Sequence, residues 1–458
     1  MDETSLSSPN IHALLNAFFI PIRVEEESQR PDVDLRYNQD GWPTIAFLTP
    51  VGDPLFSVNY TAPEPFLDLL VKLVDAYQRD KSALLDTGAR NRAEAQARQS
   101  KSPSARLGPA IVAEIAGLVE GLADETHGGY GGPFKFLHTD ANAFMLYLHE
   151  VTGEVSQLKH VGFTLQQMRQ SRTYDDNGGG FFRYSSKPDW GEPHPEKLLD
   201  DQAALLRNCL RIYLLTGDTV YRQIAEELIH YLNTELSSDT TPCFFGCQDY
   251  VRPELDLKAL RQGPMPLMSL IDELVYCDAN ARAASAYLNA WWLLGRVDCK
   301  TRAQQILEHL WTHLRSPHGG MDHFVGGKPR VAGLLMDSVM MGTALLDAYG
   351  LCSDEVYLER AQYLADDIVR LHRSPDGGFF DISKTGPANL KIPITVFTQN
   401  ARKPRYSLFS WPISVAIWPI ANSPTGPSNP FRTAIAITTS SQPDLDKHWV
   451  VYWPCHFW

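Results

Sequence analysis

Asp175-Asp-Asn-Gly-Gly-Gly-Phe-Phe-Arg-Tyr-Ser-Ser-Lys-Pro-Asp-Trp-Gly-Glu-Pro-His-Pro-Glu-Lys-Leu-Leu-Asp-Asp201 runs from a glycine turn through a short aromatic strand into a polar loop, and then opens a long amphipathic helix. Three glycines in a row supply the positive φ angles and the close backbone approach of a tight loop. Relatives of this stretch recur along the chain: Gly128-Gly-Tyr-Gly131, Cys243-Phe-Phe-Gly-Cys247, Gly319-Gly-Met321 and Gly377-Gly-Phe-Phe380. With Gly178 to Phe182 they make five Gly and aromatic turns spaced about 50 to 75 residues apart, each following a helical pattern. A helical-hairpin period with its long loops on one side is the signature of a repeat in which each hairpin buries its neighbour. The fold class expected is therefore mainly α, an (α/α) barrel or toroid of five or six helical hairpins with its loops around one mouth.

Apolar positions at helical spacing support this reading along 111–122, 141–148, 158–168, 197–215, 221–236, 279–294, 303–314, 334–349 and 357–371. Stop signals such as Thr152-Gly153-Glu154 and Thr216-Gly217-Asp218 end several of them. Ahead of the barrel, residues 1–78 read as a small α/β domain: helix 11–18, alternating strand 19–24, strands 44–48 and 55–59, and helix 65–77. Residues 79–107, rich in Arg, Lys, Ala, Ser and Gln, read as a polar linker. The barrel then occupies 108–383. Residues 384–458, with many Pro, Ser and Thr, show no helical period and read as a divergent irregular segment.

The bulk numbers narrow the function. A hydrophobic content of 44% with 21% charged residues describes a globular chain, and the formal net charge of −13 argues against nucleic acid or an anionic membrane as partner. No apolar run is long enough for a membrane span, and the first residues, MDETSLSSPN, lack the regions of a signal peptide. A cytoplasmic location is expected. The 7 scattered cysteines contain no CxxC, and Cys243 and Cys247 have no second pair beside them. A phosphate-binding Gly loop, a zinc motif and a serine nucleophile elbow are all missing, so neither a metal nor a cofactor is expected.

The quoted stretches resemble the family that pairs a thioredoxin-like domain with a six-hairpin glycosidase-like barrel, the spermatogenesis-associated protein 20 type. Gly178-Gly-Gly-Phe-Phe-Arg-Tyr-Ser185, Trp190, Pro193-His-Pro-Glu-Lys-Leu-Leu199 and Asp201 are similar to the family's GGGFHRYS, W, PHFEKML and D. Gly128 to Phe136 looks like its GGFGGAPKF, and Cys247-Gln-Asp249 like its AQDAD. Arg30 to Asp34, Gly41-Trp-Pro43 and Phe47-Leu-Thr-Pro50 match its thioredoxin part. Three departures stand out. The family's CxxC lies upstream of the segment that matches Met1 to Leu6, so dithiol redox activity is not expected here. Phe182 stands where the pattern has His, and Asp200 where it has Tyr.

The resemblance implies a site at the loop-bearing mouth. Sugar chemistry there needs a proton donor and acceptor on opposite faces and flat aromatic surfaces. His194, Glu196, Asp249, Asp278 and Asp337 are the candidate catalytic residues. His194 and Glu196 could equally serve the start of a helix, and Asp249 and Asp278 a cap or Asx turn. Asp337 interrupts the apolar run 334–341, where a carboxylate is costly unless paired or functional. His138, Arg183, Tyr184, Trp190, Asp201 and Asn280 are the candidate substrate-binding residues, with core packing the competing role for both aromatics. The function expected is an enzyme acting on a carbohydrate or sugar-like small molecule by acid/base chemistry, an isomerase or hydrolase. A non-catalytic binding or scaffold protein with a protein partner is the alternative. So is a tailoring enzyme for a less polar metabolite, suggested by Phe182.

Overall fold

The apolar stripes read from the sequence become helices in a computed structural model, which describes residues 4–24, 29–38, 43–100, 109–251, 268–325, 331–374 and 378–383. It also describes three two-residue strands, Ala416–Ile417, Ile435–Ala436 and Val450–Val451, paired antiparallel. The rest of the expected C-terminal segment lies outside the described residues, as do Trp42, Gly377 and residues 252–267.

The chain divides into two compact units, the first holding α1 to α4. These are α1 (Pro9–Phe18), α2 (Pro31–Tyr37), α3 (Pro63–Arg79) and α4 (Lys81–Ser100), with an antiparallel pair β1 (Ile45–Leu48) and β2 (Pro54–Val58). Ile11, Phe47, Phe66 and Leu70 form its buried core. The strand expected at 19–24 does not form: Pro21 can donate no ladder bond, and Ile20 and Ile22 are 90% and 79% exposed. The expected linker carries α4, which has no apolar stripe. It is held instead by polar bonds, Asn91 Nδ2 to the carbonyls of Pro54 and Leu55 and Arg92 Nη1 to buried Asp53 at 2.8 Å.

In the second unit α5 (Pro109–Gly121) is followed by four hairpins: α6 (Thr139–Thr152) with α7 (Val155–Gln170), α8 (Leu199–Thr216) with α9 (Thr219–Thr234), α10 (Cys277–Leu294) with α11 (Val297–His313), and α12 (Leu335–Cys352) with α13 (Glu355–His372). Each hairpin turns in two residues. Its first helix ends on a left-handed residue, Gly153, Gly217, Gly295 or Ser353. Links this short force the two helices antiparallel, so α6, α8, α10 and α12 all run the same way. They pack side by side as the inner layer. α8, α10 and α12 bury most of their circumference, whereas α9, α11 and α13 bury one stripe and form the outer layer. This is the (α/α) barrel architecture. With α5 as a further outer helix, the described residues carry five outer helices, each followed by one of the five Gly and aromatic loops. None of the described helices is long and apolar enough to cross a membrane.

The fourth residue of each inner helix clamps the loop before it. Gln202 bonds both the N–H and the C=O of Phe181, and Asn280 does the same to Phe244. Ser338 Oγ accepts from the Met321 N–H, and Asn142 Oδ1 accepts from the Tyr130 hydroxyl. Short strands tie neighbouring repeats. β3 (Lys135–Phe136) pairs with β4 (Tyr184–Ser185), and β5 (Glu196–Leu198) with β8 (Cys247–Val251), while β6 (Ser237–Ser238) and β7 (Thr241–Phe244) form a local hairpin. β9 (Met268–Asp272) adds to β8, and β10 (Val275–Tyr276) pairs with β11 (Phe324–Val325). Residues 197 and 198, expected in the helix, belong to β5, because Pro195 and Glu196 carbonyls already accept from Tyr250 and Arg183. The helix starts at Leu199.

Candidate active site

Because the inner helices run in one direction, their N-termini gather at the end where the Gly loops lie. Each opens on an acid: Asp140 in α6, Asp200 and Asp201 in α8, Asp278 in α10 and Asp337 in α12. Four helix N-termini favour carboxylates there. The first backbone N–H of α8, α10 and α12 donates to the carbonyl of Gly246, His323 and Asp381 respectively, which seats the next repeat's loop against the acidic turn.

The tightest cluster is Asp278, His323 and Asp337, whose side-chain polar atoms lie within 4.8 Å of one another. Asp337 and His323 are buried, and Nδ1 of His323 lies 2.9 and 3.1 Å from the two Asp337 oxygens. Asp337 thus sits in a first turn, paired, and not unpaired in mid-helix as its surroundings in sequence suggested. The pairing selects the Nδ1–H tautomer and leaves the lone pair on Nε2. Burial raises the Asp278 carboxyl above its usual range, and the nearby Asp337 charge adds to this, with His323 and Arg282 opposing. Asp140 and Asp200 are raised as well, by burial first.

Asp200 is exposed to solvent yet penalised chiefly by burial. The charges of Asp140, Asp200, Asp278 and Asp201 all act on Arg282, which lies 3.6 Å from Asp140.

Beside this cluster runs a second polar strip. Arg183 Nη1 bonds Glu196 Oε2 at 2.8 Å, and His194 Nδ1 is 3.8 Å from the same oxygen. Glu196 faces Asp249 across β5 and β8. His194 stacks on Tyr184, with ring centroids 4.9 Å apart, and Tyr184 stacks on Phe136. His138, at the start of α6, contacts Phe136 and is pushed down to about 4, by burial first and then by Lys135, so it is neutral at neutral pH. After burial, Asp278 raises the Asp200 carboxyl further and Arg183 opposes it.

Two expected binding residues have no free face here. Trp190 is 1% exposed, donates its indole N–H to the His127 carbonyl, and packs on Gly129 at a positive φ of 61°. Asn280 is buried with its amide spent on Phe244 and Tyr276. Phe182 turns to Tyr250 and Lys197, on the sheet face opposite Glu196 and Asp249, so it does not make the mouth apolar. Conversely, the residue reading passed over His323, Arg282 and Asp140. His323 had a signal: it is the third residue after Gly320, as Arg183 is after Gly180.

Residues 1–95 match the Thioredox_DsbH family model, described as a protein of unknown function, DUF255, and the match runs into α4. The chain is 31% identical over 276 residues to mouse spermatogenesis-associated protein 20, covering 55% of this chain and 35% of that protein. It is 27% identical over 234 residues to the uncharacterized protein B0495.5 of Caenorhabditis elegans, covering 47% and 32%. The chain therefore spans about a third of the length of these curated relatives. Similar solved structures include cellobiose 2-epimerase from Bacillus thermoamylovorans, with 12% identity, a TM-score of 0.48 and 60% and 76% of the two chains covered. A D-mannose isomerase structure gives 12%, 0.47, 61% and 76%. The resemblance to the spermatogenesis-associated protein 20 type, with a DUF255 thioredoxin-like segment first, is borne out over the residues these matches cover.

Proposed function

We propose that the mouth of the second unit is the active site of an acid/base enzyme for a small, sugar-like molecule, and that its reaction is isomerisation or epimerisation. The observation that carries this is the Asp337-oriented His323 set within 4.8 Å of Asp278. His323 Nε2 would take the proton from the carbon beside a carbonyl, while Asp278, inclined to hold its proton, would donate to the carbonyl oxygen. A raised acid beside an imidazole oriented by Asp337 divides the two roles by environment. The strip of Tyr184, Phe136 and His194 would supply flat surfaces for a sugar ring, and Arg183 with Glu196 hydroxyl partners.

The test is proton exchange in D2O against a panel of aldoses, ketoses and disaccharides, followed by NMR at the carbon beside the carbonyl. Wild-type protein should incorporate deuterium into at least one sugar. His323→Ala and Asp278→Asn should each slow this by about 10²-fold or more. A folded wild-type protein that binds and exchanges no member of the panel rules the proposal out.

A further inference from the structure

Away from the mouth, one face of the outer helix α11 is polar along most of its length. Arg302, Gln305, His309 and His313 fall three or four residues apart and so share that face. Arg302 ties it to the β6–β7 hairpin, reaching the carbonyls of Pro242 and Cys243 and the Ser237 hydroxyl. Beyond this tie, helix and hairpin part around a cavity of about 600 Å³, lined by both histidines and, from the hairpin, by residues 238–242. Its wall also carries two carboxylates, Asp239 and Glu308, against the guanidinium of Arg302.

The two imidazoles are set as a pair. Their ring centroids lie 4.2 Å apart, with the planes 25° from parallel. Two metal–nitrogen bonds of about 2.0–2.1 Å each span such a gap. Nδ1 of His313 lies 2.9 Å from the His309 carbonyl. A carbonyl can only accept, so Nδ1 carries the proton and the lone pair stands on Nε2, an orientation typical of metal-ligating histidines. Burial first, and then His313, lowers the His309 imidazole, which at neutral pH is therefore in the unprotonated form that a metal requires.

We propose that His309 and His313 form a binding site for a divalent late transition-metal ion of the Zn2+ class, held by one nitrogen of each ring in the cleft between α11 and the β6–β7 hairpin, with water completing its shell. Imidazole suits such an ion and does not suit Mg2+ or Ca2+, which take oxygen ligands. The site lies on the outer layer and is independent of the acid/base reading of the mouth.

Calorimetric titration of the metal-free full chain with Zn2+ tests this, with Co2+ as a coloured probe of nitrogen coordination. Wild-type protein should bind an ion through this pair, and its melting temperature should rise with Zn2+ concentration. His309→Ala and His313→Ala, each removing one of two ligands, should weaken binding about tenfold or more. His309→Gln keeps a polar side chain of similar reach and should fail in the same way, at an ion-free melting temperature close to wild type, which separates a lost ligand from a lost fold. Binding should also fade as pH falls through the histidine range, where protons compete for the rings. Wild-type protein that takes up no Zn2+, or binding that survives both alanine variants, overturns the proposal. Binding lost in His323→Ala but not in His309→Ala assigns the ion to the mouth and overturns it as well.

Discussion

Asp337 shows how a single residue reads differently in sequence and in space. In sequence it is a carboxylate among apolar neighbours, and its burial without a visible partner marked it as functional or costly. The partner, His323, lies 14 residues upstream in a separate loop, and no local pattern joins them. Their bond fixes a tautomer, which gives a specific expectation. Asp337→Asn keeps the size of the side chain but can offer an N–H to Nδ1, so the imidazole proton moves to Nε2 and the base is lost. Deuterium exchange into the accepted sugar should fall about 10²- to 10⁴-fold with KM little changed. A large rise in KM at unchanged kcat would show that the pair binds substrate and does not serve proton transfer.

At the scale of elements, the fourth residue of each inner helix carries the repeat. The Asn280 amide satisfies both backbone groups of Phe244 inside the core, and the Ser338 hydroxyl only one of Met321. Asn280→Ala leaves a buried donor and acceptor unpaired and should cost about 2–4 kcal/mol in urea unfolding, whereas Ser338→Ala should cost about 1–2 kcal/mol. Equal, small losses would mean that the loops are held by their glycine turns alone. Much of this layer was legible in the sequence. The Gly and aromatic loops, the helix periods and the hairpin stops all follow from local backbone preference. The two- and three-residue strands were not, since Glu196 to Leu198 is too short to alternate and takes its form from β8. α4 escaped for another reason. A helix without an apolar stripe gives no periodic signal, and Asn91 and Arg92 become informative only once β2 lies beside them. Within the mouth, Asp278 and Asp337 were found as isolated acids, but their common direction followed only from the two-residue hairpin turns.

For the whole molecule, pH separates the acids of the mouth from those that brace the barrel. Asp175 and Glu227 are lowered: burial opposes this, but Lys197 and Arg169 prevail, so the stability they add is present above the ordinary carboxylate range and lost as pH falls. His138, neutral in the fold down to about 4, works the same way: its contribution is present above the ordinary histidine range and is lost as pH falls towards 4. Asp140, Asp200 and Asp278 have the opposite sign. Raised in the folded state, each favours folding below the ordinary Asp range and loses that benefit as pH rises through its folded pKa. The mouth is thus strained at neutral pH, where the chain also carries its formal −13. A double variant, Asp200→Asn with Asp278→Asn, removes two of these charges and leaves the Asp140–Arg282 pair in place. It should melt about 2–4 °C above wild type at neutral pH while losing proton exchange, and the gap should close as the pH falls towards 4. Melting curves at a series of pH values check this. A gap that persists unchanged into acid would mean that the amides stabilise by packing, and that the acids of the mouth carry no electrostatic strain.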